Sequence, residues 1–223
     1  MFIGHFAVGL AAKRVAPEAS LGPLIAAPIL LDLLWPAFVL LGWERVRIDL
    51  GNTAFTPLAF DHYPWSHSLL MSAVWGALLA VLYWRGRAGY GVGAGVLAAG
   101  VVSHWVLDWI THRPDLPLYP GRSPLLGLGL WNSPPATIVI ESLMFAAAVW
   151  LYATGTQARD RTGRYVLWAF IGVLALSYAA DVLSSAPPPS VTAIAWTGLI
   201  IGWACPFWAA WFDGHRGAVG NGQ

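Results

Sequence analysis

Six apolar runs, each about as long as the 20 residues a helix needs to cross the hydrocarbon core of a bilayer, constrain this chain more than any other feature. They cover Leu21 to Gly42, Ser68 to Trp84, Gly91 to Ile110, Ala136 to Ala153, Tyr165 to Leu183 and Val191 to Phe212. Only 10% of the 223 residues are charged and 57% are hydrophobic, against about 25% charged in a typical soluble domain. There is too little polar surface to wrap six such helices in water, so the expected fold is an all-α integral membrane protein with about six transmembrane helices. A further segment, Phe2 to Ala12, reaches only some 16 Å at about 1.5 Å per residue and reads as a short N-terminal half-helix. No repeat or long linker divides the chain, which gives a single polytopic domain over 1–223. A net charge of +1 supplies no basic patch for nucleic-acid phosphates, so no nucleic-acid partner is expected. The lone Cys205 excludes an intramolecular disulfide framework and a thiolate metal cluster. The first cations, Lys13 and Arg14, follow the first apolar stretch instead of preceding it, which argues against a cleaved signal peptide.

Eight of the twelve Lys and Arg residues fall on one side when the loops are assigned alternately: Lys13, Arg14, Arg85, Arg87, Arg159, Arg161, Arg164 and Arg216. The positive-inside rule places these in the cytoplasm. The two long loops, Trp43 to His67 and His112 to Pro135, then face outward. Trp35, Trp43, Trp65, Trp84, Trp131 and Trp211 lie near the expected helix ends, where indole rings anchor at the membrane interface.

Ionisable groups within spans cost at least roughly 2.5 to 3.5 kcal/mol each at mid-membrane and demand a reason. Asp32 stands in Leu31-Asp32-Leu33 near the middle of the run from Leu21 to Gly42, with nothing nearby in sequence to neutralise it. His104, Asp108 and His112 are spaced by four and share one helical face, with Gly100 one turn earlier leaving room for a close neighbour. The stretch Asp61-His62-Tyr63-Pro64-Trp65-Ser66-His67-Ser68 brings two histidines to a helix entrance, where Pro64 breaks the preceding helix and Ser66 is placed to cap the next. Glu141 lies one turn into the run from Ala136 to Ala153, Asp181 near the end of the run from Tyr165 to Leu183, and both have loop groups such as Arg122 as prospective partners. Asp213 reads as a solvated terminus. By depth, Asp32 falls near mid-membrane, His104, Asp108 and Glu141 in the outer half, and His62 and His67 at the outer boundary. Imidazoles and carboxylates without thiolates are the donors preferred by zinc and by hydrolytic metal centres. The expected centre is a divalent metal, zinc or alternatively manganese, held by His67, His104, Asp108 and Asp32, with His5 available as an additional ligand. Glu141 or His112 is placed to accept the proton from water.

The order N-terminal His5, mid-span Asp32, His62-x4-His67-Ser68, then Ser103-His104-x3-Asp108 resembles the YdjM-like family of bacterial inner-membrane metal-dependent hydrolases, also described as LexA-binding. The resemblance covers roughly residues 1–120. That family's central motif looks like His-Arg-Gly-x-Thr-His-Ser; this chain keeps both histidines and the serine and lacks the Arg and Gly. An acidic pair of the early helix is reduced here to Asp32. The resemblance implies a bacterial inner-membrane, metal-dependent hydrolase, and a site near the outer leaflet suits a lipid or other phosphoester as substrate, with membrane lipids as the chain's surroundings. A cation or proton-coupled transporter using the same buried His and Asp residues is the alternative, and Pro36 and Pro206 within apolar runs fit its kinked helices. A structural or partner-binding membrane protein is a third class, and it predicts no metal.

Overall fold

A computed structural model describes residues 1–184 and 186–219. Its helices are α1 (Ile3–Ala12), α2 (Leu21–Ala26), α3 (Leu30–Leu40), α4 (Pro64–His67), α5 (Leu69–Gly86), α6 (Gly91–Thr111), α7 (Pro134–Gly155), α8 (Arg161–Leu183) and α9 (Val191–Gly214). Short antiparallel pairs decorate the ends: β1 (Arg45–Ile48) with β2 (Leu58–His62), β3 (Leu116–Pro117) with β4 (Leu125–Leu126), and β5 (Thr156–Ala158) with β6 (Arg216–Ala218). The protein is an all-α membrane protein. Among the described residues five helices, α5 to α9, are long and apolar enough to cross a bilayer.

The expected count of six spans is therefore corrected, and the difference lies in the run from Leu21 to Gly42. It is divided at Ala27–Ile29 into α2 and α3, six and eleven residues long. Pro28 has no amide hydrogen to give to the carbonyl four residues back, and its ring crowds that carbonyl, so a helix arriving from Leu21 stops there. Both pieces pack in turn along α9, antiparallel to it. A Cβ on Gly22 would lie 2.8 Å from Pro206 O, whereas Gly202 and Gly198 face Leu33 and Pro36. The half-helix is present as α1, ten residues long and mostly buried. Its close approach to α2 requires glycine: a Cβ on Gly9 would meet Leu24 O at 2.7 Å.

The bundle has two polar ends. At one, the start of α1, the break between α2 and α3, the end of α6 and the start of α7 come together, with the β1–β2 hairpin and the loop after α6 folded over them. At the other, Asp213 near the end of α9 accepts hydrogen bonds from Lys13 Nζ at 2.8 Å, the Leu21 amide at 2.9 Å and the Tyr152 hydroxyl at 2.7 Å. This corrects the expectation of a solvated terminus, since Asp213 is buried and ties α1, α2, α7 and α9 together. Between the ends the core is apolar, with Phe6, Leu10, Leu24, Ile25 and Phe170 all buried.

Candidate metal centre

Asp108 stands at the middle of the first polar end. Its Oδ2 is 3.0 Å from His104 Nε2, one turn before it on α6, and 3.8 Å from Nε2 of both His67 and His112. Its Oδ1 is 3.1 Å from His5 Nε2 and 2.6 Å from the Met1 amino group. Asp32 Oδ1 lies 3.4 Å from His67 Nε2 and 3.7 Å from His104 Nε2. The five residues expected from sequence as ligands thus converge. Donor atoms of His5, His104 and Asp108, and of Asp32, His67 and His104, form two overlapping groups, each within 4.8 Å. Asp32 had no neutralising neighbour in sequence; in the fold its neighbours come from α4 and α6.

The local chain explains how each ring is aimed. The helix break brings the Pro28 carbonyl to α6, where it accepts a hydrogen bond from His104 Nδ1–H at 2.7 Å. Gly100 permits the approach, since a Cβ there would lie 3.1 Å from that of Ala27. Pro64 opens α4, which ends at His67, and the residue capping α5 is Ser68, whose side chain accepts from the Met71 amide. Ser66, expected as that cap, has another role. Its hydroxyl donates to Glu44 Oε2 at 2.6 Å and its oxygen lies 2.7 Å from His67 Nδ1. With its one proton given to Glu44, Ser66 accepts from His67 Nδ1–H. His112 Nδ1–H donates to Asp115 Oδ1 at 3.0 Å, and Asp115 is steadied by the Tyr63 hydroxyl at 2.9 Å.

Three histidines therefore have Nδ1–H committed to a carbonyl, a serine oxygen or a carboxylate, which leaves the Nε2 lone pair of each directed at Asp108 and, for two of them, Asp32. His67 Nε2 and His104 Nε2 face each other at 3.2 Å, and two lone pairs at that distance repel unless a cation lies between them. Nδ1 anchored by an oxygen acceptor and Nε2 presented to a shared point is the outer-shell arrangement of metal-binding histidines. His5 stacks on His104, with centroids 3.8 Å apart and planes at 4°, and its buried Nδ1 has no hydrogen-bond partner among the described residues. The donor set fits a divalent ion of the zinc or manganese kind. Asp32 is the open side: its side chain is 48% exposed, while those of His67, His104, His112 and Asp108 are at most 4%.

Sequence reasoning missed Glu44, Ser66 as a partner of His67, and Asp115. Glu44 is 1% exposed and also accepts the amides of Trp65 and Ser66, both at 2.8 Å. The signal available for Asp115 was its place three residues after His112. Glu141 lies at the start of α1, where Oε2 accepts the amides of Phe2 at 2.9 Å and Gly4 at 3.2 Å, instead of pairing with Arg122. Asp181 lines a separate cavity of about 710 Å³ beside the loop between β1 and β2, and His62 sits opposite Arg45 in the hairpin. Neither joins the cluster.

The family model of the YdjM inner membrane protein matches residues 1–186, most of the chain and all of this cluster. No curated protein and no solved structure matches the chain.

Proposed function

Given that the chain belongs to the YdjM inner membrane protein family and is a multi-pass protein of that membrane, we propose that it is a membrane-embedded, metal-dependent hydrolase acting on a lipid or other phosphoester. The observation that carries this reading is the convergence of three oxygen-anchored imidazoles, each with its Nε2 lone pair aimed inward, on Asp108 and Asp32. His67, His104, Asp108 and Asp32 would hold the ion, with His5 at its edge. A divalent ion held by these residues would supply a Lewis acid and lower the pKa of water toward neutrality.

The chain's own residues do the rest. Asp32, on the exposed side, leaves the direction from which a substrate arrives. Ser66, its proton given to Glu44, and Asp115 hold His67 and His112 in the tautomer that presents Nε2. His112, buried beside Asp108 and 4.2 Å from the Trp131 ring, is placed to take a proton from water. Glu141 positions the start of α1 through the Phe2 and Gly4 amides, and its Oε1, without a partner among the described residues, is a second acceptor. The apolar core between the two polar ends favours hydrolysis over the transporter alternative, because a conducted cation or proton needs polar groups along the whole path. We place the site on the extracytoplasmic side from the distribution of basic residues. Release of inorganic phosphate or a phosphorylated headgroup from phospholipid in micelles, dependent on added zinc or manganese and lost in H104A, is the expected result. Metal binding without hydrolysis of any phospholipid class would overturn the activity and leave the metal centre standing.

A further inference from the structure

The cavity of about 710 Å³ beside the hairpin lies outside the metal centre and takes its lining from two places. The loop between β1 and β2 contributes Thr53, Phe55 and Thr56; the end of α8 and its cap contribute Ser177, Asp181 and Ser184. Steps of four and three put Ser177, Asp181 and Ser184 on one face of the helix. The adjoining face carries Leu176 and Leu183, 72% and 81% exposed, on a helix with the length and apolarity of a span. Lipid therefore meets leucine, and the cavity meets the polar stripe. Asp181 stands two residues before the end of α8, is exposed, and has no cation or hydrogen-bond donor against its carboxylate among the described residues. A carboxylate within a spanning helix calls for a compensating group.

The lining also limits what that group is. It holds no second carboxylate and no imidazole to complete the shell of a metal ion, and the space is that of a small-molecule site. It does hold acceptors and a ring. The Ser184 hydroxyl gives its proton to Ala186 O at 3.3 Å, which leaves its oxygen lone pairs free. A carboxylate and hydroxyl oxygens accept N–H bonds from an ammonium, and an aromatic face attracts its charge. Phe55 lies nearly parallel to Trp131, with centroids 6.5 Å apart and planes at 7°, and Trp131 is 4.2 Å from the His112 ring. A row of rings thus joins this cavity to the metal centre.

We propose that the cavity receives the primary ammonium of a phospholipid headgroup, with Asp181 as its counter-charge, and that amine-bearing phospholipids are the substrate class of the neighbouring centre. The lipid source follows from the leucine face of α8 beside the polar stripe; a soluble amine carries the same ammonium and is separated by the test. Turnover of the lipid rests on the hydrolase reading above, whereas its binding does not.

Native mass spectrometry of the full chain in detergent, with phosphatidylethanolamine and phosphatidylcholine of matched acyl chains, reads the preference directly. A primary ammonium donates hydrogen bonds and a quaternary one cannot, so phosphatidylethanolamine should bind about tenfold more tightly, the scale of one hydrogen bond to a charged group. D181N should remove the preference with bound metal unchanged, and A180W, which fills the cavity from α8, should weaken phosphatidylethanolamine to the level of phosphatidylcholine. Equal binding of the two lipids by wild type would overturn the proposal whatever the variants do, and so would a preference that survives in D181N. Displacement of the lipid by an equal concentration of free ethanolamine would assign the cavity to a soluble amine and overturn the lipid source. A headgroup preference in a chain that hydrolyses no phospholipid would overturn the hydrolase reading alone. Equal hydrolysis of both lipids would overturn the substrate class and leave the binding.

Discussion

Ser66 carries a single hydroxyl proton, and its direction toward Glu44 determines which nitrogen of His67 is left bare. S66A removes the acceptor for Nδ1–H and leaves the buried Glu44 carboxylate with one fewer donor. Outer-shell changes of this kind typically lower metal affinity about 10- to 100-fold, so a zinc titration of S66A should show a loss in that range and S66T should restore most of it. Asp32 gives a sharper division. D32N keeps size and hydrogen-bonding capacity but removes the charge, and should remain folded while binding metal far more weakly; adding H104A should then cost little more, because both act on one ion. Full metal content in D32N would make Asp32 a packing residue. At this scale much of the centre was legible: a four-residue spacing joined His104 to Asp108, and a carboxylate in an apolar run singled out Asp32. Glu44 and Asp115 were not, because both sit in polar loops where an acidic residue needs no excuse. Their importance appears only once the loops fold back over α6.

The run from Leu21 to Gly42 shows why elements were harder to read than residues. Mean hydropathy registers a continuous span, whereas backbone chemistry at Pro28 cuts it in two and delivers the carbonyl that orients His104. Pro23, Pro28 and Pro36 were all visible, but which of them breaks a helix depends on what packs against it. The same packing hid Asp213, the residue directly after an apolar run, behind the expectation of a helix end in water. Lys13 and Asp213 pair at 2.8 Å with side chains 11% and 6% exposed, and removing one partner of a buried pair costs about 3 to 5 kcal/mol. D213A should therefore lower thermal stability strongly without lowering bound metal in the fraction that remains folded. At the exposed start of α8, the Gly163 amide and then the His215 ring hold the Asp160 carboxyl below its ordinary value of 3.8. The folded chain takes up this proton less readily than the unfolded one, so the contribution of this cap is complete above that value and disappears as the pH falls through the lower folded pKa. Acid unfolding of D160N should be less pH-dependent below about pH 4 than that of wild type, as followed by helical circular dichroism in detergent.

For the whole molecule, two polar ends of different character are separated by an apolar core. One is closed and self-satisfied around Lys13, Asp213 and Tyr152; the other gathers imidazole lone pairs and carboxylates that could hold a metal ion. If the basic residues face the cytoplasm, a single cysteine at Asn52 in a chain with Cys205 replaced should react with an impermeant reagent in intact cells, while one at Gln157 should be protected. The opposite pattern would invert the chain and move the site to the inner leaflet without dismantling it. The overall class was legible because charge is so scarce, and His5 was grouped with the other ligands from the sequence, but no local pattern reveals how a half-helix inserts beside α6 to bring it there. Elemental analysis of the chain purified in detergent without chelator tests the central claim most directly. The expected result is about one zinc or manganese per chain in wild type, falling below a tenth of that in folded H104A and D108N; a folded wild type that is metal-free and takes up none when dialysed against zinc or manganese would contradict it.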